Sequence, residues 1–127
     1  MNKEFITYEQ AKSLKELGFD EPCLGNYADD ENHTLFTNGN RPGKTEAPLK
    51  QQVLRFFREK YDYHIVITNT NGLGKSKGFG YEISIQNSNN IIAEYGSIYV
   101  PNEPWLNTYE EAESACIDKL IELVKNK

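Results

Sequence analysis

The feature that most constrains this 127-residue chain is a change of hydrophobic period after Pro48. In "PLKQQVLRFFREKY", apolar residues recur every three or four positions, which predicts an amphipathic helix with Pro48 at its first position. The period then falls to two in "YDYHIVITN", "YEISIQ" and "NNIIAEYGSIYV", which predicts three β-strands with a bend at Gly96. The segment "TYEEAESACIDKLIELV" returns to helical spacing. The predicted order from Pro48 onward is therefore α-β-β-β-α.

This order predicts an α+β fold in which helices cover one face of a three-stranded antiparallel sheet. The length is that of one domain, so we assign 1–127 to a single domain with its core in 48–127. Residues 1–47 form an N-terminal extension, in which the spacing predicts a helix over 7–17. The polar segment that follows is rich in turn residues and includes a short predicted strand, "HTLFT" at 33–37, with "NYA" to pair with it.

Two nearly identical pentapeptides, "TYEQA" at 7–11 and "TYEEA" at 108–112, begin the first and last predicted helices. Both fit the capping box, in which a threonine hydroxyl accepts a hydrogen bond from the helix and a Gln or Glu three residues later bonds back to the cap. Gly18 suits the left-handed position after the first helix. The repeat therefore indicates two helix starts rather than a duplicated domain or a repeated functional motif.

Charge and composition exclude several classes of function. The net charge of −5 disfavours a general nucleic-acid coat, which needs a basic surface to displace counterions. No apolar run approaches the roughly 18 residues needed to span a bilayer, and the N-terminus lacks the apolar region of a signal peptide. These patterns predict a cytoplasmic protein with no membrane partner.

No sequence motif predicts a catalytic centre, a cofactor or a metal site. The loop "NGLGKSKGFG" at 71–80 precedes a strand rather than the helix that a phosphate-binding loop requires, and "GNRPGKT" at 39–45 loses an amide at its proline. "ADDENH" lacks the spacing of a calcium loop, and the two histidines lack zinc-type spacing. Cys116 lies in an apolar helical stripe, which predicts a core residue. For Cys23 the sequence does not decide between a buried and an exposed position. We therefore predict a protein that is not an enzyme.

The residues that best suit a partner-binding surface are aromatic residues near the strand ends and lysines of the 71–80 loop. Aromatic side chains anchor interfaces out of proportion to their number, and loop lysines suit an RNA or an acidic partner. Each candidate also has an interpretation without a partner: an aromatic side chain can be part of the core, and a lysine can be an ordinary charge that keeps a loop soluble. The candidates are Trp105, Tyr99, Tyr95, Phe79, Lys75 and Lys77.

The α-β-β-β-α order over about 48–125 resembles the double-stranded-RNA-binding domain. That family grips RNA with its first helix, a strand-connecting loop and lysines at the start of its last helix. The first helix here offers Lys50, Arg55 and Arg58, and the loop offers the two lysines named above. The last helix departs from the pattern, because it begins with glutamates at 110, 111 and 113, which repel phosphates.

Three segments, "TYEQAKSLKELGFDEPC", "LRFFREKY" followed by "YHIVI", and "TYEEAESACIDKLIELV", together resemble a group of small proteins encoded by bacteriophages and prophages. The resemblance covers most of the chain and implies a context, the host bacterial cell, without implying a chemistry. We expect a non-catalytic accessory protein that binds a host protein or ribonucleoprotein, for example to inhibit an RNA-guided (CRISPR) defence nuclease. An RNA-binding module and a self-associating structural protein stay open as alternatives, as does the oligomeric state.

Overall fold

The structure, a computed structural model, describes residues 2–69, 78–85, 91–95, 106 and 108–126. Its helices are α1 (Tyr8–Glu16), α2 (Lys50–Tyr61) and α3 (Tyr109–Lys125), preceded by one 3-10 turn at Asn2–Glu4. Its strands are β1 (Gly25–Tyr27), β2 (Leu35–Phe36), β3 (Thr45–Ala47), β4 (Tyr63–Asn69), β5 (Phe79–Ile85) and β6 (Ile91–Tyr95). The described chain is an α+β fold, as predicted.

The predicted antiparallel sheet is confirmed as β4-β5-β6. Ile65, Ile83 and Ala93 lie side by side across it and point toward α2 and α3, because side chains of a strand alternate between faces. Ile83 is fully buried there, whereas Val66 on the other face is 37% exposed. One face of the sheet thus carries the core and the other is open. The predicted bend at Gly96 lies outside the described residues.

A second sheet, with strand order β2-β1-β3, is built from the polar segment of the extension. The pairing of β1 with β2 was predicted, whereas β3 was missed because "TEA" has no apolar pattern of its own. The fully buried side chain of Asn26 holds β1 and β3 together. Its amide group donates to Gly43 O at 3.1 Å and to Glu46 Oε2 at 2.8 Å, and its Oδ1 accepts from Gly43 N at 2.9 Å. Pairing of buried polar groups thus shapes this sheet.

Both sheets share one hydrophobic core with the helices. Ile6, Leu14 and Tyr27 of the extension are buried in the same cluster as Phe57 and Leu120. The hydroxyl of Tyr27 also donates to Ile6 O, which fixes the segment that enters α1. The extension therefore packs as part of the core and not as a separate appendage.

The helix starts confirm the capping reading of the repeated pentapeptide. Thr7 Oγ1 accepts from Gln10 N at 3.1 Å, and Gln10 Oε1 accepts from Thr7 N at 3.0 Å. At α3, Thr108 Oγ1 accepts from Glu111 N at 3.1 Å. Gly18 has the predicted left-handed backbone, with a φ of 91°. The start of α2 differs from the prediction, since Leu49 is its cap residue and Pro48 precedes it.

The one difference between the two pentapeptides, Gln10 against Glu111, has a physical reason. Gln10 is 3% exposed, and its Nε2 donates to Asp118 Oδ1 at 2.9 Å and to Ser114 O at 3.0 Å on α3. Only an amide both accepts from the cap and donates to a carboxylate and a carbonyl. Glu111 is exposed and needs no such donor.

We predict that Gln10→Glu lowers the free energy of unfolding by about 1–2 kcal/mol at pH 7, because a second carboxylate then faces Asp118 and the donor is lost. The loss shrinks at acidic pH, where the carboxyl group takes up a proton. Glu111→Gln is the mirror-image control and changes stability by less than about 1 kcal/mol. Urea unfolding at several pH values measures both, and equal losses at pH 7 would contradict the assignment.

Candidate functional site

Two of the predicted binding residues, Phe79 and Tyr95, belong to the end of the β4-β5-β6 sheet where β4 and β6 end and β5 begins. Phe79 N donates to Leu106 O at 2.8 Å, and Leu106 N donates to Phe79 O at 3.0 Å. This pairing ties Leu106, three residues before the start of α3, to the start of β5. We call the region formed by Phe79, Leu106, Tyr109 and the last backbone positions of β4 and β6 the sheet end.

Phe79 is the predicted candidate that the structure describes most fully. It is the first residue of β5, and its ring lies edge-to-face with Tyr109 at a centroid distance of 6.3 Å. Tyr95 ends β6, where it pairs with Tyr81. Tyr109, which is 42% exposed, was assigned from the sequence only to the apolar stripe of the last helix and was missed as a site residue.

The other four candidates, Trp105, Tyr99, Lys75 and Lys77, lie outside the described residues. Their attachment points are described. Gly78 follows Lys77 in the chain, and Leu106 follows Trp105. Both described residues lie at the sheet end.

A cleft of about 300 Å³ adjoins the sheet end, between the starts of α2 and α3. Tyr109 links it to the aromatic pair, and its charged lining is mostly acidic. The lining residues are Glu4, Leu49, Lys50, Gln51, Tyr109, Glu110 and Glu113. The cleft thus combines an exposed aromatic ring with a negative potential.

Two buried ionisable groups lie in the wall of this cleft. Lys50 is 6% exposed and Glu113 is 5% exposed. Lys50 Nζ donates to Glu110 O at 3.2 Å, and Gln51 Nε2 donates to Glu113 Oε2 at 2.8 Å. Burial lowers the pKa of Lys50 and raises the pKa of Glu113, and the opposite charge of each partner resists that shift. From the sequence, Lys50 was offered as an RNA contact and Glu113 as a charge that repels phosphates, and the burial of both side chains suits neither role.

The basic residues of α2 differ in how far they contact the rest of the molecule. Arg55 lies 3.5 Å from the Glu21 carboxylate and 3.9 Å from that of Glu59. Lys60 Nζ donates to Leu17 O at 3.1 Å. Lys50 is buried, whereas Arg55 and Arg58 are exposed, so the structure removes one of the three basic residues that the RNA-binding resemblance requires to be free.

Both thiols are buried and poorly suited to act as nucleophiles. Cys116 is fully buried, as predicted, and Cys23, whose exposure the sequence left open, is 5% exposed. Burial, reinforced by the Glu46 charge, raises the pKa of Cys23 to about 11. Burial raises the pKa of Cys116 to about 12. A thiolate is the reactive form, so both cysteines are held in the unreactive state at neutral pH.

The described residues contain no group of three or more His, Cys, Asp and Glu side chains arranged to hold a metal ion. Among the described helices, none is long and apolar enough to cross a membrane. No protein-family model, no curated protein and no solved structure matches this chain. A function must therefore be inferred from the contacts of its own residues.

We predict that Lys50→Met lowers the free energy of unfolding by about 2–3 kcal/mol at pH 7, because it leaves the buried Glu113 carboxylate without a counter-charge. Glu113→Gln costs less, because glutamine resembles the neutral acid that burial already favours. The double variant loses less than the sum, by about 1 kcal/mol or more. Denaturant unfolding of the four proteins measures the coupling, and additive losses would contradict it.

Lys50 and Glu113 also make the free energy of unfolding depend on pH, in a direction that follows from the raised pKa of Glu113. Because the pKa of Glu113 is raised in the folded protein, the folded state keeps this proton to higher pH than the unfolded chain does. Stability is therefore lost as pH rises from the unfolded to the folded pKa. Lys50→Met enlarges this loss, and adding Glu113→Gln removes it.

We predict that neither thiol reacts measurably with a disulfide reagent in the folded protein at pH 8. At a pKa of about 11, only about one Cys23 thiol in a thousand is ionised. In denaturant both cysteines react at the rate of a free thiol. Rapid labelling of either cysteine in the folded protein would contradict their burial.

Proposed function

We propose that the protein is a non-catalytic phage or mobile-element accessory protein that binds a host protein through the sheet end and its cleft. The observation that carries the proposal is the acidic start of α3 beside the exposed ring of Tyr109, which packs against the half-buried Phe79. Glu110 lines the cleft next to Tyr109, and Glu111 is exposed on the same helical turn. Aromatic anchors flanked by charges of one sign are typical of surfaces that recognise oppositely charged proteins.

The charges indicate the kind of partner. A double-stranded-RNA-binding domain has lysines at the start of its last helix, whereas this chain has glutamates there. An acidic surface of this kind suits a basic protein surface, such as a site that normally holds nucleic acid. RNA-guided nucleases hold their heteroduplex in a positively charged channel. Inhibition of such a defence nuclease in the host cell is therefore a concrete form of the proposal.

RNA binding is the alternative that the described residues favour less. Lys50 is buried against α3, and Arg55 lies in contact with two carboxylates. An RNA-binding module would need its basic groups to reach phosphates and would lose affinity steeply as salt rises. Supporting the alternative would require binding through the lysines at 75 and 77.

The test is an affinity capture of the tagged full chain from host lysate, with and without nuclease treatment. We expect a stoichiometric protein partner that survives nuclease. Tyr109→Ala and Glu111→Lys each weaken capture by about tenfold or more, since each removes part of the aromatic or acidic surface.

Glu9→Lys is the matched control. It makes the same charge change in the first turn of the other helix that begins with a capping box, so it has a similar cost to helix stability. We expect it to leave capture unchanged. Equal loss with Glu9→Lys would show that net charge and not the sheet end drives binding. Recovery of RNA that is lost on nuclease treatment would overturn the proposal in favour of the RNA-binding alternative.

A further inference from the structure

We infer that β4 is a self-pairing edge, through which two copies of this chain join their sheets into one continuous antiparallel sheet. Within the described residues, β4 pairs with β5 on one side and with no strand on the other. An open edge is a template for another strand. This inference does not rest on the proposed function, since it is argued from the outer edge of β4 and not from the acidic start of α3.

The outer edge of β4 presents its hydrogen-bonding groups at known positions. The N–H and C=O of Phe79 are bonded to Leu106, on the side away from β4. These groups alternate in direction along a strand, and the register between β4 and β5 is unbroken. Val66 therefore directs its backbone groups toward β5, whereas Ile65 and Ile67 direct theirs outward to the open edge.

A second copy of β4 fits this edge because the strand is nearly symmetric about Val66. Antiparallel pairing centred there sets Val66 opposite Val66 of the second copy and Ile65 opposite Ile67 of the second copy. Both isoleucines lie on the core-facing side, where they are only partly buried. Val66 is 37% exposed on the open face. The pairing thus joins apolar side chains on both faces of the sheet while it satisfies backbone groups.

The two edges of the sheet differ in their protection against pairing. The seven residues of β4, "YHIVITN", contain no Lys, Arg, Asp, Glu, Pro or Gly, and their pairing has no bulge. On β6 a register shift distorts the pairing at Ser84, and self-pairing there would set Glu94 opposite Ile92. Bulges and charged side chains are the usual defences of an edge strand. A second copy is therefore expected at β4 and not at β6.

The size of the contact sets the expected strength. Pairing over one short strand buries less surface than a standard protein interface, so we expect a reversible dimer with a dissociation constant on the order of micromolar. Sedimentation equilibrium of the full chain over a range of concentrations measures it.

Val66→Lys is the decisive variant, because it sets two lysines directly opposite each other at the closest point of the pair. We expect it to raise the dissociation constant by about tenfold or more. Ile92→Lys is the control at equal exposure, 37% for each residue, and changes the constant by less than about twofold. Mixing the Val66→Lys and Val66→Glu proteins restores the dimer, which also shows that both variants are folded.

Two results would overturn the inference. One is a wild-type chain that stays monomeric at every concentration. The other is a dimer that Ile92→Lys disrupts and Val66→Lys does not, which would place the contact on β6.

Discussion

Burial of the last helix is the constraint on which the rest of this structure depends. Cys116, Ile117 and Leu120 are fully buried, and α3 contacts α1, α2, β4 and β5. The sheet alone covers one side of such a helix. The remaining apolar surface requires the N-terminal extension, whose Ile6 and Leu14 join the same core. The extension and the α-β-β-β-α unit are therefore held together by the helix that is last in sequence.

The same burial determines which polar groups the core must accommodate. Where α1 meets α3, Gln10 supplies donors to Asp118 and Ser114. Where α2 meets α3, Lys50 and Glu113 are removed from solvent together. An unpaired buried charge costs far more than a paired one, so these contacts fix how the helices are set against each other. The cleft beside Tyr109 results from this arrangement.

Local patterns and tertiary contacts differ in how far the sequence reveals them. The strand alternation in β4 and β5 and the capping at Thr7 depend on residues close in sequence, and these predictions were confirmed. The burial of Lys50 and Cys23 depends on segments distant in sequence, and these features were not foreseen. The strand β3 is stabilised by the Asn26 amide, which no hydrophobic period encodes. For the candidate site, the sequence indicated Phe79 but not Tyr109, because a tyrosine at a helix start is as consistent with a core position as with a binding surface.

The open edge and the sheet end combine in a specific geometry. The strand β4 runs toward the sheet end, and it would run in the opposite direction in a second copy paired antiparallel to it. The two sheet ends of such a dimer would therefore lie at opposite ends of the continuous sheet. They would be too divergent to grip one small patch together, yet free to engage two separate partner surfaces. Linking two sites in this way strengthens binding to a repeated or multi-subunit partner without any new contact. A partner with repeated subunits gains from the second site, whereas a single small protein gains nothing from it.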